Sequence, residues 1–352
     1  MSVLNLIRPD LVTMKPYVPN GDELNCRLHA NESPRSPIPF IDTPLNHYPD
    51  ARQQQLVLEQ LAEHYQISSE QMVLTRGSDD GIDLVMRLFL RARIDSILQC
   101  PPTFPMYAFY ARLQQAEIIN CPLDAENGFS LDLQKLLALW QPDCKIIMLC
   151  QPNNPTASLL DLDTISQLCK HFKDKAVVVV DEAYIDFAQF PSAASLLTSF
   201  DNLIVLRTLS KAYGMAGLRL GTVIAQSQII QALKNITPPY TLSSVVLNLA
   251  KKALADQQWF AQNVQQILNA RTQLMTELQQ SSWIDIVYPS RTNFMFVRSA
   301  YAFPLAAWFA KHDIAVRHFT GLPLLQNHLR ISVGDESQNQ RLITALKAFK
   351  GE

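Results

Sequence analysis

Residues 177–221 read VVVVDEAYIDFAQFPSAASLLTSFDNLIVLRTLSKAYGMAGLRLG, and the fold of the chain can be predicted outward from this stretch. Two short apolar, β-branched runs, at 177–180 and 203–206, are each typical of a buried strand. Asp181 follows the first run directly, and Lys211 comes shortly after the second. In open α/β sheets, ligands bind beyond the carboxyl ends of the strands. We therefore expect Asp181 and Lys211 to lie at the same edge of one sheet.

The segments upstream continue an alternation of strand and helix. A third apolar run spans 145–150, and an amphipathic helical segment at 161–172 separates it from the run at 177–180. Nearer the N-terminus, helical segments at 53–64, 81–93 and 103–114 alternate with apolar runs at 72–75, 96–100 and 117–121. Such alternation predicts an α/β fold whose mostly parallel sheet is covered by helices on both faces.

The composition and the predicted secondary structure of the chain differ on either side of this alternating region. Residues 1–50 are rich in proline, which predicts an irregular arm with a few apolar anchors. After Pro238 and Pro239, a long helical region at about 245–280 leads into a smaller α+β unit. We therefore predict three parts: an arm at 1–45 that packs on the small domain or on a partner, a large domain at 46–238, and a small C-terminal domain at 239–352 with the bridging helix.

The composition excludes several classes of protein. Of 352 residues, 48% are hydrophobic and 18% charged, which is typical of a globular chain, and the net charge of −2 indicates neither a nucleic-acid nor a membrane surface. No signal peptide and no apolar run of ~18 residues is present, so we expect a cytoplasmic protein. The six cysteines are interpreted as reduced, buried thiols. The histidine spacing predicts no metal site.

Three further polar positions follow or join the predicted strands. Asn154 lies in Q-P-N-N-P-T after the run at 145–150, Arg219 lies eight residues beyond Lys211 in G-L-R-L-G, and R-G-S-D-D-G occupies a strand–helix junction at 76–81. Free backbone amides at such a helix start bind anions. Taken singly, Asn154 could lie in a plain turn and Asp80 could be a simple helix cap, whereas Arg219 in its apolar setting requires an anionic partner. Their order and spacing together point to one site.

That combination resembles the fold-type I pyridoxal-phosphate aminotransferases, and among them the histidinol-phosphate aminotransferases. The resemblance runs from about Ala30 to Gly334. It rests on A-N-E-S-P at 30–34, H-Y-P-D at 47–50, G-S-D-D-G-I-D at 77–83, P-P-T-F at 101–104, P-N-N-P-T at 152–156, D-E-A-Y-I-D-F at 181–187, T-L-S-K-A-Y at 208–213, A-G-L-R-L-G at 216–221 and L-R-I-S-V-G at 329–334. The resemblance implies a seven-stranded sheet, a smaller α+β domain and a homodimer with shared active sites.

The resemblance also implies how the chain would hold pyridoxal 5′-phosphate. Lys211 is the expected Schiff-base lysine and proton shuttle, which requires a pKa below the usual ~10.4 of a lysine. Asp181 is expected to pair with the ring nitrogen. The other expected cofactor contacts are Asn154 and Tyr184 at the ring oxygen, Phe104 on the ring face, Ser78, Asp79, Ser210, Thr208 and Arg219 at the phosphate, and Tyr48 at the partner subunit's phosphate.

The expected substrates are histidinol phosphate as amino donor and the 2-oxo acid 2-oxoglutarate as acceptor. Arg330 is the first candidate for their anionic groups and Arg317 the second, because a guanidinium suits a carboxylate or a phosphate. Asn31, Tyr17 and Tyr240 are expected to line the pocket.

Three positions depart from the usual family pattern: Arg35 stands where tyrosine is common, and Pro105 and Ala157 stand where glycine is common. Arg35 bears on the choice of substrate rather than on the cofactor. The motifs also leave open an aromatic-amino-acid aminotransferase and a phosphothreonine decarboxylase-like lyase. A non-catalytic, cofactor-binding regulatory module is the remote alternative.

Overall fold

The computed structural model describes residues 3–12, 45–319 and 322–351. Predictions for Tyr17, Cys26, Asn31 and Arg35 lie outside the described residues. The docking of the arm at 1–45 likewise falls mostly outside them.

The larger sheet has seven strands, in the order β1-β7-β6-β5-β4-β2-β3. Their bounds are β1 Met72–Thr75, β2 Ser96–Gln99, β3 Glu117–Asn120, β4 Cys144–Cys150, β5 Val177–Asp181, β6 Leu203–Thr208 and β7 Gly221–Ala225. The pairs from β3 through β6 are parallel, and β7 pairs antiparallel with both β6 and β1. Strand β7 runs back because the short segment between it and β6 contains no crossover helix. The predicted mostly parallel, seven-stranded sheet is confirmed.

Helices cover both faces of this sheet. They are α1 Ala51–Tyr65, α2 Gly77–Phe89, α3 Met106–Leu113, α4 Leu133–Leu139, α5 Leu162–His171 and α6 Ser227–Ile236. Because side chains alternate along a strand, neighbouring residues enter two separate cores: Val178 and Val205 lie in one, and Val177 and Ile204 lie in the other. All five residues of β5 are buried. This is the pattern of a strand enclosed on both sides.

The C-terminal part is built on a four-stranded antiparallel sheet in the order β10-β11-β9-β8. Its strands are β8 Ile286–Val287, β9 Phe294–Arg298, β10 Arg317–His318 and β11 His328–Ser332, and its helices are α9 Ala302–Lys311 and α10 Glu336–Ala348. These elements enclose a third core. The predicted smaller α+β unit is therefore present.

The region predicted as one bridging helix at 245–280 is in fact two helices. They are α7 Ser244–Leu254 and α8 Gln257–Gln279. The break falls at Asp256, whose carboxylate accepts a hydrogen bond from the Trp259 amide at 2.9 Å and so caps the start of α8. Aspartate favours such caps over helix interiors because its short side chain bonds the free amides of a new helix.

The cysteines and the length of the helices bear on two further predictions from the sequence. The five described cysteines, Cys100, Cys121, Cys144, Cys150 and Cys169, are buried free thiols, as expected. None of the described helices combines the length and the apolar character that crossing a membrane requires.

Candidate active site

A cavity of about 130 Å³ opens at the carboxyl edge of the seven-stranded sheet. It lies where β5 and β6 end and where α2 begins. Its lining includes most of the residues singled out from the sequence: Ser78, Asp79, Phe104, Asn154, Asp181, Tyr184, Thr208, Ser210, Lys211 and Arg219. Residues from six separate segments thus meet in one place, as the rule for parallel sheets predicts.

Lys211 lies in the loop after β6. Burial lowers the pKa of its amine, and the positive charges of Arg330 and Arg219 lower it further. Its Nζ atom lies 5.6 Å from the centre of the Tyr184 ring. The loop is held from outside the sheet, because Asn263 of α8 donates to the carbonyl of Ala212 at 2.8 Å. A lysine in this setting has a larger fraction of neutral, nucleophilic amine than a solvated lysine.

Asp181 is the buried acid of the cavity, with only 2% of its surface exposed. Its Oδ2 accepts a hydrogen bond from the Tyr107 hydroxyl at 2.8 Å, and its Oδ1 accepts one from the Ala183 amide at 3.1 Å. Burial raises the pKa of this carboxyl to about 6, although both hydrogen bonds act against the rise. Both donors are neutral, so the carboxylate remains suited to a cationic ligand.

Tyr107 was missed by the sequence reasoning. It follows Phe104 by three residues and is fully buried on the apolar side of α3, where it resembles an ordinary core residue. The available signal was its hydroxyl, because a buried tyrosine hydroxyl usually has a hydrogen-bond partner.

The start of α2 and Arg219 form the positively polarised wall of the cavity. The side chain of the N-cap residue Arg76 does not cap the backbone amides of the first turn of α2; it donates instead to Asp80 Oδ1 at 2.9 Å. Arg219 has a left-handed backbone, with φ of 55°, and its Nη1 lies 3.3 Å from Ser210 Oγ. Its Nη2 lies 3.6 Å from Asp79 Oδ2. Together the helix start, the guanidinium and the hydroxyl form a cradle for an anion.

Glycines allow this cradle to close. A Cβ atom at Gly77 would lie 2.5 Å from Arg219 Nη2, and one at Gly221 would lie 2.7 Å from the Ser78 amide nitrogen. Any larger residue at either position would push apart the parts of the cradle.

Arg330 lies beside the cavity and donates from Nη1 to Asn154 Oδ1 at 2.6 Å. Burial lowers the pKa of Arg330, and the charge of Arg317, its register partner in the neighbouring strand, contributes in the same direction. Both arginines line a second cavity of about 580 Å³, which shares Phe104 and Asn154 with the first. Its other cation is Arg112, a residue that the sequence reasoning missed, and no carboxylate is among its lining residues. This second cavity therefore suits an anionic ligand.

Tyr48 and Tyr240 are not brought into the cavity of their own chain. Their rings stack on each other with centroids 4.4 Å apart, and Tyr48 is about half exposed.

Of the departures from the usual pattern, Ala157 has φ of 60°, a conformation that explains why glycine is common there. Pro105 is the N-cap residue of α3.

The model of the family described as aminotransferase class I and II matches residues 29–346. The chain belongs to this family. The match spans both sheets and every residue that lines the first cavity. Membership in an aminotransferase family agrees with the arrangement of lysine, acid and anion cradle found there.

The chain is also similar to individual named proteins. Over 352 residues, the chain is 50% identical to the Legionella pneumophila (strain Lens) protein named histidinol-phosphate aminotransferase 1, covering 100% of this chain and 97% of that protein. The structure of histidinol-phosphate aminotransferase from Sinorhizobium meliloti in complex with pyridoxal-5′-phosphate aligns with a TM-score of 0.78 at 25% identity, covering 86% of this chain and 82% of that one.

The fold is also shared with a protein of different activity. The structure of L-threonine-O-3-phosphate decarboxylase from Porphyromonas gingivalis aligns with a TM-score of 0.71 at 23% identity, covering 86% of this chain and 90% of that one. The fold alone therefore does not distinguish amino transfer from decarboxylation.

Proposed function

We propose that this chain is a pyridoxal-phosphate-dependent aminotransferase that transfers the amino group of histidinol phosphate to 2-oxoglutarate in histidine biosynthesis, giving imidazole-acetol phosphate and glutamate. The observation that carries the proposal is the first cavity, where Lys211 with a lowered pKa, the buried acid Asp181 and an anion cradle face one another. The 50% identity to a protein of that name over the whole chain supports the choice of substrate.

The residues of the cavity fit the cofactor by their chemistry. A buried carboxylate with a raised pKa and neutral donors suits a protonated ring nitrogen, and the cradle beside Gly77 and Gly221 suits a phosphate. When bound, pyridoxal phosphate supplies a covalent carrier for the amino group and an electron sink for the substrate carbon.

We assign the residues of this chain the following parts. Lys211 Nζ would hold the cofactor covalently and, once released, would be placed to move a proton at the reacting carbon of the substrate. Asp181 would accept a hydrogen bond from the ring nitrogen, and such a charge-assisted bond stabilises a charged ring by about 1.5–3 kcal/mol. Asn154 and Tyr184 would donate to the ring oxygen, and Phe104 would contact the ring. The phosphate would be held by the Ser78 and Asp79 amides, Ser210, Thr208 and Arg219.

We assign substrate recognition to the second cavity. Arg330 and Arg317 lie opposite each other in adjacent strands, and a bound anion between them would offset their mutual repulsion. Tyr17 and Asn31 complete the pocket in this proposal; Tyr240, which stacks on Tyr48 outside the linings of both cavities, would join it only at the site of the partner subunit. An arginine fork accepts either a phosphate or a carboxylate, as two alternating substrates require.

We further propose a cytoplasmic homodimer with shared active sites, divided into an arm at 1–45, a large domain at 46–238 and a small domain at 239–352. In this arrangement Tyr48 contacts the phosphate of the cofactor in the partner subunit. The support is that Tyr48 lies outside the cavity of its own chain while remaining about half exposed.

Single-turnover mixing of the cofactor-loaded protein with histidinol phosphate, tyrosine or phosphothreonine tests the reaction and the substrate. We expect histidinol phosphate to bleach the visible absorption of the bound cofactor fastest, with formation of the keto product. Conversion with tyrosine alone would contradict the substrate, and carbon dioxide release from phosphothreonine would contradict the reaction class. Lys211→Ala should abolish the visible band, whereas substitution of the surface residue Lys135→Ala should leave it intact.

Mixing inactive variants tests the shared site. Lys211→Ala and Tyr48→Phe proteins, unfolded and refolded together, should yield hybrids with one intact site each. Because half of the dimers are hybrids, we expect about a quarter of wild-type activity to return. Activity equal to the average of the separate variants would contradict a site shared between subunits.

A further inference from the structure

A buried cluster of charged side chains lies behind the cavity, at the same edge of the sheet but on its other face. Side chains alternate along β5 and β6, so Asp181 and Thr208 face the cavity while Glu182 and Arg207 face away from it. Arg207 Nη2 lies 2.5 Å from Asp186 Oδ1, and its Nη1 lies 3.6 Å from Glu182 Oε2. The exposed fractions of the Arg207, Glu182 and Asp186 side chains are 6%, 0% and 13%.

The cluster is closed by well-placed hydrogen bonds and by an aromatic ring. Glu182 accepts hydrogen bonds from Ser192 Oγ at 2.5 Å and from the Ala193 amide at 2.6 Å. The Arg207 guanidinium lies 4.4 Å from the centre of the Tyr65 ring. Burial alone would lower the pKa of Arg207, but the two carboxylates outweigh it and raise that pKa. The guanidinium therefore stays charged at neutral pH.

Stability gives no sufficient reason for such a cluster. Removing charges from water is costly, and replacing a buried ion cluster by apolar residues is often neutral or stabilising. A guanidinium fork between two carboxylates does, however, fix geometry, because its five donors point in set directions. The position of the cluster in the fold indicates what geometry it fixes.

The three charged residues belong to the two segments that carry the chemistry. Glu182 directly follows Asp181, Asp186 lies two residues after Tyr184, and Arg207 lies four residues before Lys211. The pairing of β5 with β6 continues into this region through a hydrogen bond from the Glu182 amide to the Leu206 carbonyl at 2.9 Å. Arg207 lies on the strand that leads into the loop of Lys211, and it binds Glu182 and Asp186 on either side of Tyr184. It therefore connects the segment that contains Asp181 to the segment that contains Lys211.

We propose that Arg207 is a positioning residue, which sets the distance and orientation between Lys211 on one segment and Asp181 and Tyr184 on the other. Arg207 touches neither substrate nor cofactor in this proposal, which rests on the proposed function of Lys211. Loss of the fork would leave each segment folded but would change their relative placement. Small displacements of reacting groups reduce rates by on the order of 10²-fold.

The test is a charge-neutral triple variant, Arg207→Met with Glu182→Gln and Asp186→Asn. The single change Arg207→Met would strand two buried carboxylates and could prevent folding, whereas the triple variant leaves no buried net charge. In the cofactor-free protein, the pH dependence of Lys211 labelling by trinitrobenzenesulfonate, followed by mass spectrometry of its peptide, reports the pKa of the amine directly. We expect this pKa to shift measurably, and in the cofactor-loaded protein we expect kcat to fall by about 10–100-fold with a smaller change in KM.

A matched control exists at the opposite edge of the sheet, where Arg91 binds the buried Asp95. Arg91→Met with Asp95→Asn removes an ion pair of the same chemistry, and we expect neither the Lys211 pKa nor kcat to change. Arg207→Lys keeps the charge but replaces the fork by a single ammonium, so it should fold and still show the shifted Lys211 titration. It also carries the test if the triple variant does not fold.

Two outcomes would overturn the proposal. The first is a folded triple variant, or a folded Arg207→Lys variant, whose Lys211 titration and kcat match the wild type. The second is an equal shift in the Arg91 and Asp95 control. Failure of this proposal can be distinguished from failure of the proposed function. The titration of Lys211 is measured without cofactor or substrate, so it does not depend on which amino donor the protein uses.

Discussion

Two aspartates at opposite edges of the same sheet differ in how they are satisfied. Asp95 directly precedes β2 at the amino edge, and Asp181 ends β5 at the carboxyl edge; they are 1% and 2% exposed. Asp95 accepts hydrogen bonds from the backbone amide, Nε and Nη2 of Arg91, all at 2.8 Å. Among the described residues, the carboxylate of Asp181 accepts only from the Tyr107 hydroxyl and the Ala183 amide.

The pKa values of the two carboxyls move in opposite directions. Burial raises the pKa of Asp95, but the hydrogen bonds and charge of Arg91 outweigh burial and lower it overall. Burial dominates at Asp181 and raises its pKa to about 6. The amino edge thus satisfies its acid with a cation of the chain itself, whereas the carboxyl edge leaves an acid suited to a cation from outside. Two carboxyls of similar burial therefore have different roles: Asp95 stabilises the fold, and Asp181 is available to a ligand.

The largest expected difference between the edges is in catalysis. Asp181→Asn should lower kcat by on the order of 10²–10³-fold, because the amide does not stabilise a protonated ring nitrogen. Asp95→Asn should leave kcat unchanged while lowering the free energy of unfolding by about 1.5–3 kcal/mol. Steady-state kinetics and denaturant unfolding of both variants measure this. An equal loss of kcat in the two variants would remove the distinction between the edges.

Arg219→Ala should weaken cofactor binding by about 10–100-fold, since it removes a charge-assisted contact to the phosphate. The affinity for pyridoxal, which lacks the phosphate, should be unaffected. Equilibrium dialysis with both compounds separates these effects. A matched substitution in a surface ion pair, Arg87→Ala, serves as the control because Arg87 binds Asp83 on α2. Equal losses for both compounds would contradict a phosphate contact.

The two acids should also give opposite pH dependences of stability in the cofactor-free protein. The raised pKa of Asp181 means that the native state keeps its proton longer than the unfolded state, so the free energy of unfolding falls as pH rises from about 4 to about 6. Asp181→Asn should therefore be more stable than the wild type above pH 6, by on the order of 2–3 kcal/mol. The lowered pKa of Asp95 gives stability above the unfolded pKa that is lost on acidification.

Urea unfolding of the two Asn variants and the wild type, at several pH values from about 2 to 8, checks these signs, because the contribution of Asp95 is lost only below its unfolded pKa. The difference between Asp181→Asn and the wild type should grow as pH rises. The difference between Asp95→Asn and the wild type should shrink as pH falls. Parallel curves for all three proteins would show that neither carboxyl has the shifted pKa.

The smallest expected effect concerns two glycines of the A-G-L-R-L-G motif. A Cβ atom at Gly221 would lie within 2.8 Å of three backbone atoms, whereas one at Gly217 would meet nothing within 4 Å. Gly221→Ala should therefore cost about 1–3 kcal/mol of folding stability. Gly217→Ala should change it by less than about 0.5 kcal/mol. Thermal unfolding compares them, and a stable Gly221→Ala protein would contradict the close approach of β7 to α2.

The sequence predicted most of the fold because the strands of a covered parallel sheet are apolar runs with polar residues at their carboxyl ends. The runs containing Val177 and Leu203 show this pattern directly, and both strands are found in the structure. The cavity could be predicted for the same reason, since the segments that follow β1, β4, β5 and β6 each contribute a conspicuous polar residue to it.

Other features depend on pairings that a linear pattern does not encode. Tyr107 occupies the apolar face of α3 like any core residue, and only its contact with Asp181 distinguishes it. The ion cluster at Arg207 requires the register of β5 against β6. The break between α7 and α8 follows from one cap, at Asp256, within an otherwise continuous helical pattern.

The central claim is that the carboxyl edge of the sheet is a cofactor site in which Lys211 is the attachment point. The most direct test is to load the protein with pyridoxal 5′-phosphate, reduce it with borohydride, digest it and locate the added mass. We predict that the phosphopyridoxyl group is found on the peptide containing Lys211 and that Asp181→Asn reduces the yield without moving the label. Labelling confined to other lysines, or no labelling, would contradict the account.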